Sequence, residues 1–202
     1  MWKGLLGASV PQILKHTIGV NLVVYDGPEV IERAGLTRSS FSGNVVVLGI
    51  LGSTISICSV DRCGRRIVLF ISLSFMASSL YFLSSEPKIE GRNDLLNLAM
   101  IWLYFFFYSF GMLAVPITIS SEIFPPEFKE VGCSIASMVG STASILVSAT
   151  FKTAHSNLGS KLYVIHMFIC LTGLVLVGTV VPETSNWALS EMEQVLVKFS
   201  AF

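Results

Sequence analysis

Charge is what this 202-residue sequence has least of: Asp, Glu, Lys and Arg make up only 13% of it. Soluble domains carry about 25%, because ionised side chains keep a folded surface wetted. Water is therefore not the main solvent of this chain. The few charges also cancel, 13 basic against 13 acidic, for a formal net charge of +0. That leaves no field to draw in nucleic acid or another polyanion. Cysteine is scarce as well, with four residues and neither a CxxC pair nor a His/Cys grouping at zinc spacing. Cys58 and Cys170 fall inside apolar stretches, while Cys63 and Cys133 border polar ones, so all four read as reduced packing residues. The three histidines, His16, His155 and His166, lie far apart, and no Asn-x-Ser/Thr acceptor occurs. With no nucleophile and base in pattern, no enzyme activity, metal or other cofactor is expected.

Apolar residues are what the chain has in abundance: 52% of the sequence is hydrophobic, and the mean hydropathy is +0.72. They are gathered into six blocks, Gly4 to Tyr25, Gly43 to Val60, Ile67 to Ser84, Leu96 to Ser121, Gly132 to Phe151 and Leu162 to Val181. Each is near the length of about 20 residues that a helix needs to cross the hydrocarbon of a bilayer. An all-α membrane protein with six transmembrane helices follows, residues 1–181 forming the bundle and 182–202 a tail with a short helix. Backbone left irregular in lipid would waste its amides, so the chain is expected to turn only in the polar connections. These are Asp26 to Ser42, Asp61 to Arg66, Ser85 to Leu95, Glu122 to Val131 and Lys152 to Lys161. Lys3 ahead of an apolar run has the polarity of a signal peptide. No small-residue cleavage site follows it, however, and Lys15-His16 interrupts the run, so none is expected.

An even number of spans puts both termini on one side. Basic residues divide evenly between the two sides, Lys3, Arg62, Arg65, Arg66, Lys129 and Lys198 against Arg33, Arg38, Lys88, Arg92, Lys152 and Lys161. The tight cluster of Arg62, Arg65 and Arg66 then assigns its own turn, and with it both termini, to the cytoplasm.

Within the blocks, small residues recur every four positions at Gly132, Ala136, Gly140, Ser144 and Ser148, and more briefly at Gly49/Ser53 and Gly52/Ser56. Such stripes let two helices approach closely in lipid, either as static packing or as faces that slide during transport. Seven aromatics fall within the nine residues 102–110, too many to share one face, so most must pack or meet lipid. Pro116, just beyond, is expected to kink its helix. The first block holds the polar residues with most to say: Lys15, His16, Gly19, Asn21 and Tyr25. A charge near the midplane costs about 2.5 to 3.5 kcal/mol. Either Lys15 snorkels to the interface, or these residues wall a watery cavity where His16 and Asn21 bond a solute and Gly19 lets the helix bend.

The connections carry a family likeness. Val60-Asp61-Arg62-Cys63-Gly64-Arg65-Arg66 resembles the D/E-R-x-G-R-R turn between helices eight and nine of the sugar porter family of the major facilitator superfamily. Ser121-Glu122-Ile123-Phe124-Pro125, followed by Lys129, resembles the family's motif after helix ten. Pro182-Glu183-Thr184 and the run Leu189 to Glu193 resemble its ending, and Gly19-Val20-Asn21 with Tyr25 its seventh helix. These motifs lie in order along nearly the whole chain. The resemblance implies the carboxy-terminal half of a major facilitator fold in the plasma membrane. It also implies a cytoplasmic ion-pair gate of Asp61, Arg65, Arg66, Glu122 and Glu183; Asn21 keeps the amide expected of the seventh helix, and with Lys15, His16 and Tyr25 of the same block it makes the candidate solute site.

At the sugar site the chain departs from the pattern. Lys15-His16 stands in place of a Gln-Gln pair, Gly49 in place of an asparagine, Ser109 of a glutamate, Ile117 of a tryptophan and Gly140-Ser141 of an Asn-Trp pair. The expected function is transmembrane transport of a small polar solute, foremost a sugar, by alternating access. The paired polar contacts that read hexose hydroxyls are thus largely missing, and a hexose is not required by the resemblance. Motifs of the six amino-terminal helices do not occur, so the chain is expected to be a fragment or truncated form, working with a missing amino-terminal half or a second copy. Two alternatives stand beside this: a non-transporting membrane protein that packs against a full-length carrier, and a proton-coupled carrier of a non-hexose solute.

Overall fold

The computed structural model describes residues 2–85, 94–124, 126 and 128–181, without the side chains of residues 2, 3, 38, 39 and 61. Eight α-helices occur among them: α1 (Trp2–Thr17), α2 (Val20–Arg33), α3 (Arg38–Cys63), α4 (Arg65–Ser85), α5 (Asp94–Phe107), α6 (Val115–Ile123), α7 (Lys129–Leu158) and α8 (Lys161–Val180). A π-helix, Tyr108–Leu113, joins α5 to α6. Five stretches are long and apolar enough to cross a membrane as single units: Ser40–Val60, Arg65–Ser85, Asp94–Ile123, Lys129–Leu158 and Lys161–Val180.

The first block makes its crossing in two pieces, which is where the fold departs from six simple helices. Its contacts climb α7 in step: Gln12 packs on Gly140, Asn21 bonds Ser148 and Asp26 meets His155. So α1 and α2 form one broken pass running parallel to α7. The break has a local cause. Gly19 adopts a left-handed φ of 95°, a region that side chains with a Cβ resist. A Cβ there would also lie 2.7 Å from the His166 ring. Breaking a helix in lipid leaves backbone groups in need of partners. The Tyr104 hydroxyl answers for one, donating to the Ile18 carbonyl at 3.0 Å from a fully buried position.

Elsewhere helices run further than polarity alone predicts. Asp26 to Arg33, read as a loop, is helical and completes α2, leaving the turn to residues 34–37. Lys152 to Leu158 likewise completes α7, and the turn is Gly159 at φ 50°. A helix stops when its backbone bonds stop, and polar side chains at a membrane surface do not stop them. The distortion expected at Pro116 appears one turn earlier. Proline lacks an N–H and its ring crowds the carbonyl four residues back, and the chain answers with the π-helix 108–113 before restarting as α6 with proline in its first turn. The tail, residues 182–202, and the connection 86–93 lie outside the described residues.

The core forms where α4 meets α5 and α8. Val68, Leu69, Ser72, Leu73, Met76 and Leu80 line the buried face of α4 at helical spacing, opposite Leu98, Ile101 and Tyr104 of α5 and Cys170, Gly173 and Val177 of α8. Ser72 donates to the Phe107 carbonyl at 2.7 Å, satisfying the backbone where the π-helix begins. Gly111 is pressed so closely on Ser72 that a Cβ would fall 2.4 Å from its Cβ. In contrast, α3 and α7 keep broad apolar faces outside the bundle, with Val46, Ile50 and Ile57 on one and Met138, Ile145 and Leu146 on the other all exposed.

Candidate functional site

Beside the break in the first pass lies a cleft of about 600 Å³, lined by Asn21, Val24, Tyr25, Glu29, Glu32 and Phe151. The break places Asn21 on the first turn of α2, with its Nδ2 donating to Ser148 Oγ at 3.4 Å. One turn on, the Tyr25 ring sits edge-on to Phe151 at 5.7 Å and to His155 at 4.8 Å. An amide, carboxylates and aromatic rings on one wall offer hydrogen bonds to hydroxyl groups and flat apolar faces to the C–H side of a ring. The small-residue stripe of α7 divides accordingly. Gly132, Ala136 and Gly140 are buried in packing, whereas Ser148, at its far end, is exposed toward Asn21.

Lys15 and His16 are not among the residues that line this cleft. Lys15 Nζ donates to the Leu113 carbonyl, the end of the π-helix, at 3.2 Å. This supplies a partner for its charge in the span and fills a place that the register change opens, since Ile117 N–H bonds Ala114 instead. His16 is half-buried on the next position of α1. One residue of this face escaped the sequence reading. Gln12, a turn before His16, is buried and donates to Ser120 Oγ at 3.4 Å, and Ser120 in turn donates to the Pro116 carbonyl at 2.8 Å. A lone amide in an apolar run was the available signal.

At the end of the bundle where α3, α6 and α8 finish, the expected gate residues gather. Arg65 Nη2 lies 2.7 Å from Glu122 Oε1, with side-chain exposures of 14% and 23%, and Arg65 Nη1 donates to the Val60 carbonyl at 3.4 Å. Such screening from water strengthens a charge-assisted bond beyond what a surface pair gives. Arg66 turns the other way, donating to the Gly178 carbonyl at the end of α8 and lying over the Phe70 ring at 5.9 Å. Asp61's side chain and Glu183 lie outside the described residues. No group of His, Cys, Asp or Glu that could hold a metal ion occurs among the described residues.

At the opposite end, a second polar cluster joins three helices; two of its members, Asp26 and His155, had been assigned to connections and the third, Tyr163, to the last apolar block. His155 Nε2 of α7 lies 2.9 Å from Asp26 Oδ1 of α2, and the Tyr163 hydroxyl of α8 donates to Asp26 Oδ2 at 2.6 Å.

The sequence model of the family described as Sugar (and other) transporter matches residues 1–196. The chain belongs to that family. This sugar transporter family member is 28% identical over 195 residues to the galactose-proton symporter of Escherichia coli strain K12, covering 93% of this chain and 42% of that protein. It is also 28% identical over 186 residues to the D-xylose-proton symporter-like 1 of Arabidopsis thaliana, covering 90% of this chain and 37% of that protein. Among solved structures, the inward open conformation of the xylose transporter XylE from E. coli matches with a TM-score of 0.77 at 25% identity, over 95% of this chain and 42% of that one. A double-tryptophan mutant of XylE matches with a TM-score of 0.83 at 22% identity, over 96% and 43%.

The transporter family chain is thus a multi-pass, all-α membrane protein of the major facilitator fold, to which XylE belongs. Its family is one of transporters and not of enzymes. The chain spans less than half the length of the curated relatives it matches.

Proposed function

We propose that this chain forms the carboxy-terminal half of a carrier that moves a small polyhydroxylated solute, a sugar, across a bilayer by alternating access. The observation that carries the reading is the break at Gly19, which sets the Asn21–Tyr25 cleft beside a hinge inside the span. Broken helices with polar groups at the break are how carriers place a binding site at membrane depth. Asn21 and Tyr25 are the solute-contacting residues. Lys15 acts through the π-helix that it caps, and His16 faces the solute path from α1.

The Arg65–Glu122 pair holds the cytoplasmic end closed in one state and hydrates in the other, biasing a two-state equilibrium. Arg66, Asp61 and Glu183 complete that gate. Residues 1–181 are the bundle, 182–202 a cytoplasmic tail, and both termini face the cytoplasm at the plasma membrane. The exposed apolar faces of α3 and α7 are where six further helices, or a second copy, pack. One similar protein is named a galactose-proton symporter and another a D-xylose-proton symporter-like protein, which supports a sugar as the solute.

The test is uptake of labelled galactose and xylose into proteoliposomes holding this chain together with the amino-terminal six-helix portion of the galactose-proton symporter. Saturable uptake above that of either piece alone, lost in Asn21→Ala, is the expected result. Uptake absent from the pair, or untouched by Asn21→Ala and Tyr25→Ala together, would remove the basis of the reading.

A further inference from the structure

The contacts of α2 are unequal along its length. At its start the chain pivots at Gly19, with φ 95° and no side chain of its own. At its middle, Asp26 is gripped from two sides, by His155 of α7 at 2.9 Å and by Tyr163 of α8 at 2.6 Å. Between pivot and grip lie Asn21 and Tyr25, the wall of the cleft. A rod pinned at one point and hinged at another moves only when the pin is withdrawn, and this pin contains an imidazole.

We propose that Asp26, His155 and Tyr163 form a proton-binding site that locks α2 over the cleft when His155 is charged and lets it swing about Gly19 when His155 is neutral. Imidazole changes charge within the physiological range. Charged, it makes a charge-assisted bond to the carboxylate, shorter and about twice as strong as a neutral one. Neutral, it can give Asp26 only the weaker bond of an uncharged N–H, beside the bond from the Tyr163 hydroxyl.

The groups around His155 reinforce that direction. From α2 it meets Asp26 and the Tyr25 ring. Glu29, one turn on, is near enough to act electrostatically on Tyr163 and is itself paired with Arg33; Glu32 follows on the same helix. From α8 come Tyr163 and, at that helix's first residue, Lys161. On α7 itself, Phe151 lies against the imidazole ring at 5.7 Å and Lys152 falls three residues earlier. The α2 side thus carries Asp26, Glu29 and Glu32, with Arg33 paired to Glu29, and the α7 and α8 side carries Lys152 and Lys161. A proton gained by His155 adds attraction across the joint that holds α2 down.

This concerns the motion of α2 and needs no solute, so it stands or falls separately from the transport reading. The experiment is hydrogen exchange of the full chain in lipid nanodiscs, followed for residues 20–33 and referred to α4 as an internal standard, after correction for the intrinsic pH dependence of exchange. Protection of α2 relative to α4 is expected to fall about fivefold between about pH 5 and about pH 8. In His155→Gln, which retains a hydrogen-bond donor but does not titrate, the two pH values should give the same protection. Asp26→Asn should flatten the response likewise. Equal protection of the wild-type chain at both pH values, or an undiminished pH response in His155→Gln, would overturn the proposal.

Discussion

The two ends of the bundle close with different chemistry. Where α3, α6 and α8 finish, the joint is made by guanidinium groups: Arg65 on Glu122 and Arg66 on the Gly178 carbonyl. Where α2, α7 and α8 meet, it is made by an imidazole and a phenol sharing one carboxylate. Arginine stays charged at every pH a cell presents, whereas histidine does not. An arginine joint can be opened only by competing partners or by water entering as helices part. A histidine joint can be opened by a proton leaving. The same six-pass framework therefore holds one end that answers to conformation and another built to answer to its surroundings.

The largest effect expected from breaking this contrast is at the arginine end. Glu122→Ala removes the carboxylate that lies 2.7 Å from Arg65 in a half-dry site, a loss expected to cost about 3 kcal/mol. Thermal unfolding in nanodiscs should show that loss undiminished across the range from about pH 5 to about pH 8. The double variant Arg65→Met with Glu122→Leu should recover most of it, because apolar side chains then replace the charged pair as a whole. A single variant as damaging at one pH as it is harmless at another would make the two ends alike.

Next in size is Asp26→Asn, which weakens two bonds to the carboxylate and is expected to cost about 2 kcal/mol. Here the sign with pH is specific. A carboxylate gains most from a charged imidazole, so the proton-binding proposal requires a larger loss at about pH 5 than at about pH 8. Unfolding midpoints of wild type and variant compared at both ends of the range check this. A loss that grows with pH would contradict it.

How much of this contrast could be read from residues alone differs between the two ends. The six apolar blocks were plain because lipid tolerates so little charge that a spanning stretch stands out by composition. Arg65 and Glu122 came from motifs whose order resembles a family, not from any rule of spacing. The Asp26 joint was invisible because polarity was taken to end helices. Asp26 sits one residue and His155 four residues beyond its apolar block, where α2 and α7 simply continue, so both were placed in loops. The break at Gly19 was half legible: a bend there stood as one of two readings of the first block, beside a shifted helix with Lys15 snorkelling to the interface. Only its neighbours, the His166 ring and the Tyr104 hydroxyl, decide the matter, and both are distant in sequence.

Tyr104→Phe tests what connects the two ends, and a smaller effect is expected of it. The hydroxyl donates to Ile18 O beside the pivot, so its removal leaves that carbonyl only the long, weak bond from the Cys170 thiol at 3.9 Å, at a cost of about 1 kcal/mol. The contacts at neither end are touched. Thermal unfolding should show the modest loss with no dependence on pH, and hydrogen exchange should show it confined to the first turn of α2.

Smallest of all is Arg66→Lys. An ammonium can still reach the Gly178 carbonyl, but it gives up the flat face that lies over Phe70. The guanidinium's advantage there is about 0.5 kcal/mol, a partly exposed cation–π contact. Because the charge is kept, the slight fall in unfolding temperature should be the same at low and high pH, while Arg66→Ala should cost more by losing the bond to α8 as well. If lysine proved as costly as alanine, the shape of the guanidinium and not its charge would be what ties α4 to the end of α8. The arginine end would then be closed by packing, and the contrast with the titratable joint would rest on Arg65 alone.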